Sequence, residues 1–383
     1  MTPARSLLAA LVTLASLSAV AACPFCEVVG RSLVQRRDAA TVVAVGEAGG
    51  EAREDEGIVS QPLIIRAVIS GMDITVADTV IARVAGPVEG TAVVFGDATG
   101  RFEAVAADES LLGYVATAPP AEAPAAERLA WFARRLEHPD TAIAEDAFME
   151  FGLAEYADVI AAAGSLRELD LRAWITEPAI DQRRRGFYGL ALGIVAAEAR
   201  ARGDAAQADA CTRTLEQALL IPGTDLRAGY DGLLGGLFVA RGEAALDWLG
   251  EHGLLAADTR AGDARHTLAA LRFAWQYLAT TVPRAKIAEA AARLVANPAV
   301  AADAVVDLAR WQHWESVDCV TAVWDRLGSN DPLIRRAVAG YLIACPLEPA
   351  GREAARLQAA EPERWAAAVG AAGLPPRAAA ESR

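Results

Sequence analysis

The stretch ATAPPAEAPAAE, residues 116–127, divides the chain into two regions of different texture. On its N-terminal side, ATVVAVGE (40–47), QPLIIRAVIS (61–70), DTVIARVA (78–85), TAVVFG (91–96) and RFEAVA (101–106) alternate and are rich in β-branched residues. LLGYVAT (111–117) extends the series. Gly, Asp and Pro punctuate these runs, which is the pattern of short strands joined by turns. About five or six such strands make a small barrel or sandwich. EAGGEAREDEG (47–57) reads as a charged loop, and EVVGRSLVQRRDA (27–39) as a short helix leading into the first strand.

On its C-terminal side the period changes to that of helices. HTLAALRFAWQYL (266–278) sets Leu268, Leu271, Trp275 and Leu278 at the 3,4,3 spacing of one buried stripe. SLRELDLRAWI (165–175) opens with Ser165 and Glu168, a capping-box pair. SNDPLIRRAVAGYL (329–342) places Asp331 as a cap and Pro332 at the first helical position, and with Arg335 and Ala337 resembles the second helix of HEAT repeats. HPDTAIAEDAFMEFG (138–152) is a looser copy. Hairpins of this kind each carry an apolar face too large to hide alone, so neighbours stack into a solenoid. The expected architecture is α+β in two domains. A signal peptide at 1–22 precedes a small OB- or netrin-like β domain at 23–115; a Pro/Ala linker at 116–127 leads to an α-helical HEAT-like solenoid at 128–383.

The address comes from the other end. MTPARSLLAALVTLASLSAVAA (1–22) has one basic residue, an apolar run and small residues before Cys23, as a signal peptide does. The run falls short of the ~20 residues a membrane span needs. An exported protein of the periplasm or cell surface follows, with no transmembrane span in the mature chain. A net charge of −14 argues against nucleic acid as a partner.

Export allows disulfides to persist. In VAACPFC (20–26), Cys23 and Cys26 can form a structural disulfide that locks the first turn and seats Phe25 on the β domain. The alternatives to this reading are a redox pair, or a lipid tether on Cys23. Cys319 and Cys345 lie near the ends of consecutive predicted helices and are a second candidate bridge, while Cys211 is expected as a buried thiol.

Signal peptide, CPFC, a β domain, and helices containing DLARWQHW (307–314) and RRAVAGYLIACP (335–346) together resemble a family of uncharacterised exported bacterial proteins. The resemblance implies the architecture and no activity. A cysteine segment ahead of a β-barrel is also similar to the netrin-like domain of metalloproteinase inhibitors. That domain begins Cys-x-Cys, whereas the spacing here is Cys-x-x-Cys, and no cysteine occurs between 27 and 118.

No pattern of catalysis emerges. His138, His252, His266 and His313 are scattered, no Gly-x-Ser-x-Gly occurs, and no Gly-rich phosphate loop follows a strand. GLLGGLFVARG (232–242) reads as close helix packing. No cofactor or metal is expected, and the function expected is non-catalytic protein binding, with thiol–disulfide exchange at Cys23 and Cys26 as the alternative. Candidate partner-binding residues are Arg183, Arg184 and Arg185 of DQRRRGFYG (181–189), and Arg310, Trp311 and Trp314, the two indoles lying three apart on one side of a helix.

Overall fold

The fold is taken from a computed structural model, which describes Phe25 and residues 30–72, 74–223 and 227–373. A short helix α1 (Leu33–Ala39) leads into β1 (Val42–Ala48), β2 (Arg53–Asp55), β3 (Ile58–Ser70), β4 (Thr79–Arg83), β5 (Thr91–Gly96) and β6 (Phe102–Ala106). The charged segment 47–57 is thus the end of β1 and a small hairpin, since β2 pairs with β3.

The pairings return to their start. β1 is antiparallel to β3 on one side and to β5 on the other. β3 continues antiparallel to β4, and β5 to β6. β4 and β6 close the ring in parallel through only Ala82↔Phe102 and Arg83↔Glu103. Two register shifts against β1 bend the thirteen-residue β3 so that it serves both neighbours. Alternation decides which side chains go inward: along β4, Val80 and Ala82 are buried while Thr79, Ile81 and Arg83 face out. The interior is filled by small and branched residues, among them Val42, Ala44, Leu63, Ile65 and Val94.

β1 and β5 are apolar on both faces, and the second face has its own partner. Val43, Val93 and Phe95 join the large core shared by the helices. The first of these helices is α2 (Glu109–Thr117). LLGYVAT is therefore helical and not a strand. Asp108 caps it by accepting from the Leu111 amide, and Leu111, Tyr114 and Val115 bury at helical spacing. A seven-residue apolar run fits either period, and the cap decides.

Residues 116–127 hold the end of α2, a turn, and the start of α3 (Ala125–Ala133). They are tied to α1: the Arg37 guanidinium donates to the Val115 and Ala118 carbonyls, at 2.9 and 2.6 Å, and Asp38 accepts from the Ala121 amide at 2.7 Å.

The chain continues through α4 (Thr141–Leu153), α5 (Tyr156–Ala161), α6 (Glu168–Trp174), α7 (Gln182–Ala201), α8 (Ala205–Leu220) and α9 (Tyr230–Arg241). Then come α10 (Ala244–Glu251), α11 (Ala261–Tyr277), α12 (Arg284–Leu294), α13 (Ala301–Arg310), α14 (Val317–Arg326), α15 (Pro332–Ala344), α16 (Glu348–Ala360) and α17 (Pro362–Ala372). Alternate helices are close neighbours: α7, α9 and α11 form one row, and α13, α15 and α17 another.

Local signals succeed at α15, where Asp331 caps the Leu333 and Ile334 amides and Pro332 is the first helical residue. They fail at α6. Arg167 is its cap residue, with no side-chain bond, and Ser165 ends a preceding 3₁₀ turn. Glu168 is drawn instead to Arg172, at 3.0 Å, and to Gln207 of α8, at 2.9 Å. At α7 and α9 the glycines allow backbone contact: a β-carbon on Gly236 would lie 2.1 Å from the Gly189 carbonyl oxygen.

A buried polar network fastens α1 to α4. Asp146 accepts from the Leu33 amide at 2.5 Å and from the Tyr114 hydroxyl at 2.8 Å. One turn on, Glu150 accepts from Ser32 and pairs with Arg128. Burial pushes the Asp146 carboxyl up to about 6, and raises Glu150 as well.

Candidate partner-binding surface

Cys23 and Cys26 lie outside the described residues. Phe25, between them, is described and half-buried. It packs on the helices and not on the sheet, its ring 4.9 Å from Phe273 of α11 and directly over Gly235 of α9. Proximity in sequence suggested the sheet; the slot that accepts the ring is made by a glycine far along the chain. Tyr156 and Tyr277 complete the aromatic cluster around Phe273, at 5.4 and 5.3 Å.

The triple arginine is spent inside the protein. Arg184 is buried and donates to the Leu136 carbonyl and to Glu137, at 3.0 and 2.8 Å. Arg183 pairs with Asp181 at 2.7 Å and reaches Glu145 at 3.3 Å; Arg185 donates to the Glu177 carbonyl. Three consecutive residues on a helix point about 100° apart, so they share no single face.

No bond joins Cys319 to Cys345. Cys319 is an exposed thiol in the first turn of α14 that donates to the Ser316 carbonyl, and Cys345 is buried as the cap of α15. Cys211 is buried in α8, its thiol pushed up to about 12 by burial and by nearby Glu168.

Arg310 and Trp311 end α13, but Trp314 does not follow them on the same face. Gln312 adopts a left-handed φ of 57°, which breaks the helix, and Trp314 begins a 3₁₀ turn. The two indoles are thereby separated. Trp314 packs edge-on against Tyr341 at 5.3 Å, whereas Trp311 stacks nearly parallel on Trp275, at 4.5 Å and 12°.

That stack is the centre of a shallow surface depression of about 660 Å³. Trp275 was expected in a buried stripe; Leu268, Leu271 and Leu278 are buried, but the indole is only half so. Arg284, from the start of α12, lies over its ring at 5.1 Å. Asp307 of α13 is buried beside it and accepts from Arg272 at 2.5 Å, with Arg310 at 3.9 Å on its other oxygen. Burial raises the Asp307 carboxyl, while the Arg272 hydrogen bond and charge act to lower it. One buried carboxylate so fixes Arg272, and lies near Arg310, beside two flat indoles. Arg272 and Arg284 carried no signal of a site in the sequence: Arg272 stands in a helical stretch read for its apolar stripe, and the loop before α12 brings Arg284 to the same depression.

No family model, curated protein or solved structure matches this chain.

The surface must therefore be read from its own chemistry. Trp and Arg are the residue types that most often anchor protein interfaces. Among the described residues, no group of three or more His, Cys, Asp or Glu side chains is placed to hold a metal ion. No described helix is long and apolar enough to cross a membrane.

Proposed function

We propose that this protein is an exported, non-catalytic binding scaffold of the cell envelope, and that the Trp275–Trp311 face contacts a protein partner. The stacked indoles ringed by Arg272, Arg284 and Arg310 carry this reading. They offer a flat apolar surface and forked donors, and Asp307 holds the Arg272 guanidinium in place before any partner arrives. Such preorganisation reduces the entropy lost on association.

The architecture is compatible with that role. The order in which the strands close, with one parallel step between β4 and β6, supports an OB-type barrel, and the alternate-helix contacts support a HEAT-like solenoid. The resemblance to exported proteins with a CPFC segment supplies the envelope address, with Cys23 and Cys26 as a structural disulfide.

Site-specific photocrosslinking in intact cells tests the proposal. A crosslinker at Gln276, inside the depression, should yield one discrete adduct that disappears when Trp311 is replaced by Ala. The same group at Ala205, exposed at the start of α8, should not. Absence of an adduct from Gln276, or an identical one from Ala205, overturns the reading.

A further inference from the structure

A second surface lies on the opposite kind of architecture, along the seam where the sheet closes. β4 and β6 pair at two positions only. On the outer side of this short ladder runs a groove of about 530 Å³, which continues past Arg36, Arg83 and Glu103 into a second stretch of about 540 Å³. Arg31, Arg36, Arg83 and Arg101 line it. Among the described residues, none of these four forms an ion pair or donates a side-chain hydrogen bond. By contrast Arg184, Arg227 and Arg272 are bound to carboxylates.

The acids of the groove do not neutralise it. Asp97 is committed to its own turn: it accepts from the Thr99 amide, the Thr99 hydroxyl and the Arg101 amide, at 2.8, 2.7 and 3.0 Å. Asp97 stays ionised beside Arg101, so four guanidiniums face two carboxylates, Asp97 and Glu103. The groove is thus net positive on a chain of net charge −14, which attracts an acidic segment locally. The two walls also differ. Arg31 and Arg36 come from the α1 segment and Arg101 from the β5–β6 turn, whereas the β3–β4 wall exposes Ile58 and Ile81, at 45% and 61%, beside the single Arg83.

We infer that this groove binds an extended acidic peptide segment of a partner protein. An extended chain sends successive side chains to opposite sides, so alternating carboxylate and aliphatic residues meet the arginine wall and the isoleucine wall together. Guanidiniums take carboxylates in forked pairs, and those here need give up no existing partner. An unbroken row of phosphates fits worse, since Glu103 interrupts the positive lining and two exposed isoleucines would be left facing charge.

The test uses the full mature chain and a fluorescein-labelled peptide of alternating glutamate and leucine, followed by anisotropy. The peptide should bind at least about tenfold more tightly than its glutamine–leucine counterpart, because only ionised acceptors make the strong pairs. Arg83→Glu and Arg31→Glu should each weaken binding by about tenfold or more at unchanged melting temperature. Arg326→Glu, exposed on α14, makes the same change in net charge and should leave binding unaltered, as should Trp311→Ala. Equal binding of the two peptides, or an equal loss in Arg326→Glu, overturns the inference. So does binding of a single-stranded oligonucleotide in preference to the peptide. The Trp311→Ala result separates this groove from the helical surface, so each assignment stands or falls alone.

Discussion

Phe25 occupies the space that a β-carbon on Gly235 would need: such a carbon would lie 2.5 Å from the phenyl ring. Phe25 is therefore seated on α9 and α11, and one glycine makes room for its ring. The helices thus hold the start of the described chain as well as the outer face of the sheet.

Replacing either residue should break the same contact. Phe25→Ala removes a half-buried ring and should cost about 2–3 kcal/mol. Gly235→Ala should cost about 1–3 kcal/mol by expelling the ring. In the double variant the alanine at 235 meets only the Phe273 ring, at an ordinary contact of 3.4 Å, so its cost should nearly vanish. Chemical denaturation of the four proteins checks this; additive losses would show that the two residues do not meet.

The α7–α9 contact predicts opposite outcomes for two Gly→Ala changes. Gly236→Ala forces a carbon against the Gly189 carbonyl and must part the helices, at a cost of about 2 kcal/mol or more. Gly113, exposed within α2, has nothing within 4 Å of its added carbon. There alanine should stabilise by roughly 0.5–1 kcal/mol, since it restricts the unfolded chain and favours the helix. Thermal melts of both variants provide the measurement.

Asp146 should make stability depend on pH. Its carboxyl is raised in the folded protein from the ordinary 3.8 to about 6, chiefly by burial, so folding favours the neutral form. Its favourable contribution is complete below about pH 3.8 and is lost as the pH rises through about 6, a change of roughly 3 kcal/mol. Glu150 shifts in the same direction. Asp146→Asn, neutral throughout, should flatten this part of the profile and narrow its stability difference from wild type at low pH. Urea unfolding of both proteins from pH 4 to 7 decides it; parallel profiles would contradict the assignment.

Arg310 should separate binding from folding. Its side chain is 73% exposed and lies 3.9 Å from Asp307, so Arg310→Ala should alter stability by less than about 0.5 kcal/mol. The same change should markedly reduce the Gln276 crosslink. Asp307→Ala, by contrast, strands Arg272 beside the stack and should lower both stability and crosslinking. A full crosslink in Arg310→Ala would remove this residue from the surface.

Sequence alone determined the α+β composition, the strand-rich region before residue 116, the helical periodicity after it, and the Asp331–Pro332 start of α15. These signals are local: period 2 against period 3.6, a capping oxygen, a residue without an amide proton. Locality also explains the errors. LLGYVAT is too short for its period to choose a structure, and the Ser165–Glu168 pair lost its glutamate to partners on α6 and α8. Tertiary structure decided everything that depends on which distant side chains meet. It buried Arg184, turned Trp311 away from Trp314 through one left-handed residue, and carried Phe25 onto Gly235. It stacked Trp275 on Trp311, and it lined one groove beside the sheet with four arginines that form no ion pair among the described residues. Charge and aromatic character can be read residue by residue, but whether a guanidinium is spent or available depends on the acids that packing brings within about 4 Å, and only the folded chain sets that distance.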